Sequence, residues 1–217
     1  MNVVAIGANP DDVEIGVGGT LARHVKEGDK VYILHMVNTG YSDPISKKIY
    51  RTDEEVRNCA QQAATIIGAE LRMLGFKDRC VPFNEESVIV VDKFLREHSI
   101  DVVYTHWRGD THQDHINTYN TVMAAARYID HIYLFEQIPL PRASIVNVGA
   151  RYYVDITDYI DIKLKAVSAY ASEVEKYGND LLEGILALAR YRGIQCGCKH
   201  AEAFELVKSV RRSLHST

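Results

Sequence analysis

Residues 3–21 read VVAIGANPDDVEIGVGGTL, a short apolar strand that runs through a turn into a glycine-rich helix start. Two adjacent carboxylates, Asp11 and Asp12, stand at the turn. An acidic pair there can serve only to cap the helix and complement its dipole. In α/β sheets, however, the carboxyl ends of buried strands also face the ligand crevice. The stretch therefore predicts a strand–turn–helix unit with a polar site at the turn.

The same alternation of apolar runs and helical periodicity continues along the chain. Strands rich in valine and isoleucine, separated by helices, are typical of a parallel sheet covered on both faces. We therefore predict a three-layer, Rossmann-like α/β sandwich with a mostly parallel sheet. The polar segment 39–53 is predicted to be an irregular loop, and the tail is predicted to be helical from Ala203 to Leu214. The predicted strands lie near 2–7, 30–37, 69–74, 101–106, 131–136 and 151–155, and the predicted helices near 14–28, 52–68, 86–98, 113–128, 158–172 and 179–192.

Composition excludes several classes of partner. The 217 residues, 47% of them hydrophobic, suit a single domain over 1–217. With 25 basic and 29 acidic residues the formal charge is −4, and no long basic run is present to follow a nucleic-acid backbone. No stretch approaches the roughly 20 apolar residues that a membrane span requires. We expect a cytoplasmic protein that binds neither nucleic acid nor membranes.

A second polar cluster follows the fourth predicted strand. His106 ends that strand, and the segment Asp110–His115 adds two further histidines and two aspartates. Because both clusters follow strands of one predicted sheet, we expect their side chains to meet at the same edge. Histidine and carboxylate groups are the ligands of a catalytic zinc, which usually takes three of them and keeps one position for water.

Each of these residue types suits one part of a hydrolytic reaction. Asp12 and His115 are the best metal ligands, and the adjacent Asp11 is placed to accept a proton from the attacking water. His112 could polarise a substrate carbonyl or protonate a leaving amine. Asp114 would then fix the tautomer of a histidine. Two aromatic residues near the cleft edges, Tyr41 and Trp107, are candidate substrate contacts.

The two motifs resemble those of the LmbE-like (PIG-L) deacetylases. Gly7–Leu21 is similar to that family's opening Ala-His-Pro-Asp-Asp-Glu motif with its glycine-rich helix start, and Asp110–His115 is similar to its Asp-x-His-Pro-Asp-His motif. The likeness in order and spacing covers residues 3–130, and Lys199–Phe204 resembles the family's C-terminal signature. Membership implies a zinc-dependent hydrolase, with another divalent metal possible, that removes an acetyl group from an N-acetylated amino sugar or glycoconjugate. It also implies a homo-oligomer, a trimer or hexamer.

The resemblance assigns roles to single residues of this chain. It implies that Asp12 and His115 bind metal, that Asp11 is the general base, and that His112 handles charge at the amide with Asp114 as its orienting partner. It also implies two substrate contacts. His200 stands where the family commonly has a tyrosine and could donate to an oxyanion, and Arg51 roughly fits a family arginine, with Arg57 as a competing position.

Asn9 is the departure from the family pattern, because it stands where the family has its first metal-binding histidine. Its amide oxygen is a weaker, neutral ligand. Three outcomes follow: zinc binds through Asn9, Asp12 and His115; another residue or water completes the set; or the site holds little metal. The last outcome describes a sugar-binding protein or a hydratase with the same fold.

A nucleotide-binding module is the remaining alternative, suggested by the glycines of residues 16–19. The third glycine of a dinucleotide fingerprint is missing. No acidic residue follows the second predicted strand to bind a ribose. The sequence therefore favours the hydrolase.

Overall fold

The structure, a computed structural model, describes residues 1–43, 45–137 and 148–211. Its central sheet contains seven strands in the order β5-β2-β1-β6-β7-β9-β8, and a separate two-stranded hairpin is formed by β3 and β4. The strands are β1 (Asn2–Gly7), β2 (Lys30–Val37), β3 (Tyr41–Ser42), β4 (Ile49–Arg51), β5 (Glu70–Phe76), β6 (Val102–His106), β7 (His131–Phe135), β8 (Tyr152–Asp155) and β9 (Ala201–Ser209). The helices are α1 (Asp12–Lys26), α2 (Asp53–Ile67), α3 (Glu85–Glu97), α4 (Gln113–Ala125), α5 (Ile160–Ser168), α6 (Ala171–Tyr177) and α7 (Asn179–Cys196).

The sheet is mostly parallel, as the sequence predicts. β1 pairs in parallel with β2 on one side and with β6 on the other, and the register continues in parallel from β2 to β5 and from β6 to β7. β9 runs antiparallel to both of its neighbours, β7 and β8. The predicted mostly parallel α/β fold is therefore confirmed, with one reversed strand.

Helices cover both faces of the sheet, and the alternation of side chains along β1 shows how. Val3 and Ala5 belong to a core shared with α1, α2 and α5, whereas Val4 and Ile6 belong to a core shared with α3 and α4. Because successive side chains of a strand point to opposite faces, an apolar strand without alternation must be covered twice. The three-layer prediction is confirmed by these two cores.

The glycines of α1 allow close packing of this helix on its neighbours. A Cβ atom at Gly16 would lie 2.4 Å from the Phe135 ring, and one at Gly19 would lie 2.8 Å from Ile156. Neither separation is compatible with a side chain at these positions. Close packing of α1 therefore explains Gly16 and Gly19. These two glycines no longer favour a nucleotide-binding loop.

Three predicted segments differ in the structure. The loop predicted over 39–53 contains the β3–β4 hairpin, in which Tyr41 pairs with Arg51. The predicted tail helix is wrong over its described part, because residues Ala201–Ser209 form β9, and residues 212–217 lie outside the described chain. Backbone pairing with β7 and β8 on its two sides outweighs the helix-forming alanine, glutamate and leucine of this segment. The helix predicted over 158–172 is divided into α5 and α6.

Within the described residues, no helix has both the length and the apolar composition needed to cross a lipid bilayer.

Candidate functional site

The two polar clusters meet at the carboxyl ends of β1 and β6, two adjacent strands at the centre of the sheet. The chain leaves β1 toward β2 on one side, while β6 lies on the other side. Such a reversal of strand order opens a crevice in an α/β sheet, where ligands bind. Asn9, Asp11 and Asp12 follow β1, and His112 and His115 follow β6; all five side chains line one cleft.

Asp12 contacts two histidine rings at the bottom of the cleft. Its Oδ1 is 3.2 Å from His115 Nε2, and its Oδ2 is 3.3 Å from His106 Nε2. The two rings stack with centroids 4.1 Å apart, and all three side chains are buried. Each residue offers a ligand atom, and these atoms lie within 4.8 Å of one another. A carboxylate and two imidazoles are donors that suit zinc.

The two histidines of this cluster have opposite pKa shifts. For His106, burial and then the charge of His115 lower the pKa to about 4, so its ring is neutral near pH 7. For His115, burial acts in the same direction but is outweighed by Asp12 and Asp110, which raise the pKa to about 10. Asp12 itself is desolvated, yet His115 and His106 hold its pKa well below the usual value. The cluster therefore contains the Asp12 carboxylate, the neutral imidazole of His106 and the positively charged imidazole of His115.

Asp110 orients His115. Its Oδ2 lies 2.7 Å from His115 Nδ1, which fixes the Nδ1 proton and directs Nε2 toward Asp12. A carboxylate behind a histidine is the usual partner of a metal-binding imidazole. The sequence predicts Asp114 as the orienting partner of His112; in the structure its backbone N–H donates to His112 Nδ1, while its carboxylate accepts hydrogen bonds from the backbone amides of Arg79 and Val81. Asp114 thereby holds the loop after β5 against α4.

Asp11 has a strained backbone and an unusual carboxyl group. It is the N-cap of α1 at φ 104°, outside the normal range of a residue with a side chain, and makes no side-chain capping hydrogen bond. The capping role that an acidic pair can fill is therefore not seen for this residue, and such strain concentrates at functional sites. Burial, followed by the charges of Asp12 and Glu173, raises its pKa well above the usual value. A carboxylate with a raised pKa is a stronger base.

His112 stands at the N-terminus of α4, on the cleft wall. Its Nδ1 accepts a hydrogen bond from the backbone N–H of Asp114 at 3.2 Å. In the neutral ring the proton then lies on Nε2, which makes that nitrogen a donor. The ring packs on His115 with centroids 4.6 Å apart, so this donor lies next to the buried cluster.

The outer wall of the cleft comes from the hairpin and from α6. Tyr41 lines it between two cations, with the Arg79 guanidinium 4.8 Å and the Lys176 ammonium 5.3 Å from the ring centroid. Arg51 also lines the cleft and pairs with Glu173 at 3.0 Å. The competing Arg57 is exposed on α2, so the structure favours Arg51 as the arginine of the site.

Asn9 contacts the cluster through its backbone. Its N–H donates to Asp12 Oδ2 at 2.6 Å, which fixes the carboxylate. Its side-chain Oδ1 is buried and has no hydrogen-bond partner among the described residues. Buried acceptors are nearly always satisfied. A cation or a water or substrate donor in the cleft would satisfy this oxygen.

Two predicted substrate contacts do not line this cleft. The Trp107 indole donates to Glu205 at 3.0 Å and packs over Gly109. His200 is buried beside Thr157, whose hydroxyl oxygen accepts its backbone N–H.

Other residues of the site were missed, because no motif marks them. Gln137 donates to Asp12 Oδ1 at 3.0 Å, and Glu173, Lys176 and Tyr177 reach the cleft from α6. Only the folding of α6 over the sheet edge brings its residues to the site. Asp110 did have a signal: it lies five residues before His115, at the start of the second motif.

The chain is similar to several known proteins. The PIG-L family model, described as GlcNAc-PI de-N-acetylase, matches residues 4–126. The uncharacterized deacetylase YaiS of Escherichia coli strain K12 is 35% identical over 177 residues, which cover 78% of this chain and 90% of that protein. Diacetylchitobiose deacetylase of Thermococcus kodakarensis is 26% identical over 228 residues, which cover 96% and 84% respectively. GalB, the 4-carboxy-2-hydroxymuconate hydratase of Pseudomonas putida KT2440, shares the fold with a TM-score of 0.81 at 20% identity, over 99% of this chain and 100% of that one.

Proposed function

Because the chain belongs to the PIG-L family of deacetylases, we propose that it is a zinc-dependent hydrolase that removes the acetyl group from an N-acetylated amino sugar or its conjugate. The observation that carries this proposal is the buried cluster of Asp12, His106 and His115 beside the strained Asp11. Decay of the site would not preserve this constellation. The trimeric or hexameric state stays a prediction.

The residues fit a metal ion. Asp12 offers a charged carboxylate as a metal ligand, and His115 offers an imidazole that Asp110 orients. Asn9 Oδ1 is a buried acceptor without a hydrogen-bond partner among the described residues. Of these, Asp12 and His115 would hold the ion. When bound there, zinc supplies a Lewis acid that polarises the amide carbonyl and lowers the pKa of water to roughly 7.

Asp11 accepts the proton of the attacking water. Its raised pKa makes it a better base than an ordinary aspartate, and the charge of Arg51 opposes the rise. A positioned base of this kind contributes roughly 10²–10⁴-fold to the rate. His112 donates from Nε2 to the amide oxygen as charge develops there, and the proton that Asp11 took from the water then passes to the leaving amine.

The cleft wall suits a sugar. Tyr41 offers an aromatic face, and Arg51, Gln137 and Lys176 offer donors for ring hydroxyls and the acyl oxygen. Diacetylchitobiose deacetylase, a relative over nearly the whole chain, acts on an N-acetylated sugar by its name. We therefore place the substrate among N-acetylated amino sugars, free or conjugated.

The test is acetate release from a panel of N-acetylated amino sugars by the zinc-loaded protein. Asp11→Asn should retain zinc while kcat falls by about 10²–10⁴-fold, and Asp180→Asn, at an exposed position in the first turn of α7, should leave both unchanged. Full activity of Asp11→Asn would refute its role as base. Zinc binding without acetate release from any substrate would favour the alternative, a sugar-binding protein or a hydratase.

A further inference from the structure

His106, at the end of β6, lies beside the carboxylate that would bind the metal. Its Nε2 is 3.3 Å from Asp12 Oδ2, almost the same as the 3.2 Å between Asp12 Oδ1 and His115 Nε2. We infer that His106 Nε2 is the third metal ligand of this chain and replaces the nitrogen ligand that Asn9 cannot supply. The inference rests on the proposed metal-dependent function and specifies how this chain achieves it.

The separations are those of atoms that share one ion. Zinc binds nitrogen and carboxylate oxygen at about 2.0–2.2 Å, so two ligands at a tetrahedral angle stand roughly 3.4 Å apart. Both observed nitrogen–oxygen separations fall close to this value. Two histidines therefore approach the same carboxylate at ligand spacing, from the end of β6 and from α4.

The hydrogen bond of His106 keeps its nitrogen ready to bind metal. The backbone N–H of Ala8 donates to Nε2 at 2.9 Å, so Nε2 carries a lone pair and no proton. Nε2 and Asp12 Oδ2 are then two electron-rich atoms 3.3 Å apart in a buried site. The backbone N–H groups of Ala8 and Asn9 donate to these two atoms, and a cation between them would stabilise the buried pair further. A divalent cation would provide that stabilisation.

The ring cannot easily turn away. His106 is fully buried, stacks on His115 and packs on Phe135 with centroids 4.8 Å apart. Rigid packing of a ligand side chain is what a precise metal site requires. Asn9, in contrast, offers a neutral oxygen, which binds zinc more weakly than imidazole. Its Oδ1 remains available as an acceptor for a water or for the amide N–H of a substrate.

The Ala8 amide and the metal compete for the same lone pair on Nε2. Metal binding should therefore release the Ala8 N–H, and its hydrogen exchange should become faster when zinc is added. A histidine that merely supports the strand would keep this hydrogen bond, and Ala8 exchange would not change. Hydrogen exchange of the Ala8 N–H therefore shows whether His106 is a metal ligand or a packing residue, and it needs no mutation.

The main experiment measures metal binding directly in three variants. His106→Phe should weaken zinc binding, measured by chelator competition, by more than about 100-fold. Loss of a residue that only hydrogen-bonds to a metal ligand already lowers metal affinity by roughly 10–100-fold. The matched control is His35→Phe at a second fully buried histidine, near the end of β2, which should bind zinc like the wild type. Asn9→Ala should lose no more than about tenfold.

A second measurement covers the case in which His106→Phe does not fold. In the ¹⁵N-histidine-labelled wild-type protein loaded with ¹¹³Cd, Nε2 of both His106 and His115 should show coupling to the metal. Coupling at His115 but not at His106 would overturn the inference and leave the proposed hydrolase intact. A wild-type protein that binds no zinc or cadmium would overturn the proposed function as well.

Discussion

Gly16 is the position where one added methyl group should damage both the core and the site. A Cβ atom there would lie 2.4, 2.8 and 2.9 Å from three atoms of the Phe135 ring. Ordinary contacts begin near 3.4 Å, so the fully buried ring must move by about 1 Å. Overpacking of this kind costs about 1–3 kcal/mol. In Gly16→Ala this cost opposes a gain in helix propensity of about 0.8–1 kcal/mol.

Gly18 gives the matched control, because it lies in the same helix and has ordinary space around it. A Cβ atom at Gly18 would lie 3.6 Å from the nearest atom, in the Lys163 side chain. Gly18→Ala should therefore gain the helix propensity without the clash. We expect its free energy of unfolding to exceed that of Gly16→Ala by about 1–3 kcal/mol, measured by urea denaturation of metal-free protein.

The difference should also appear at the metal site. Phe135 packs on His106, so displacement of its ring should move that histidine and weaken zinc binding in Gly16→Ala but not in Gly18→Ala. In thermal unfolding, each kcal/mol corresponds to about 2–4 °C for a chain of this size. Equal stability of the two variants would refute the packing argument for the glycines of α1.

Two further predictions concern buried charges. Burial raises the pKa of Glu14 from 4.5 to about 7, so the folded state retains a proton that the unfolded chain loses; its contribution to stability is full below pH 4.5 and is lost as the pH rises through 7. Glu14→Gln should flatten this decline in urea unfolding of metal-free protein, and an unchanged slope would contradict it. Lys163→Met should cost about 3–5 kcal/mol of unfolding free energy, because it leaves the buried Glu202 carboxylate without its cation. Arg96→Met removes the exposed ion pair with Asp92 and should change the free energy of unfolding by no more than about 1 kcal/mol. Equal effects of the two variants would contradict the expected difference between a buried and an exposed ion pair.

The sequence predicts the central sheet well because its signal is local. A fully apolar β1 followed by the Asp11–Asp12 turn fixes strand, turn and helix within twenty residues, and the same holds for β6 and its histidine cluster. The β9 segment has no such local signal for a strand. Its alanine, glutamate and leucine residues favour a helix locally, and only pairing with β7 and β8 makes it a strand.

The candidate site shows the same limit. Asp12 and His115 are predictable because each lies in a compact motif, and the parallel sheet brings the motif ends together. Glu173 and Gln137 come from elements with no such motif, and they reach the cleft only through packing of α6 and the end of β7. The sequence places His106 at the end of its strand, but the distance between His106 and Asp12 depends on the register between β1 and β6. The sequence alone does not predict that register.

The reversed strand β9 also sets the order in which a growing chain can be completed. β8 pairs with β9 alone, yet β8 leaves the ribosome first. On β9, Glu202 accepts the backbone N–H groups of Gly19 and Thr20 at 3.0 and 2.7 Å and so anchors α1. At roughly 5–20 residues per second, the nascent protein therefore carries an unpaired edge and an unanchored site helix until the residues of β9 emerge. A ribosome-stalled chain ending before Ala201 should expose β8 to proteases and chaperones.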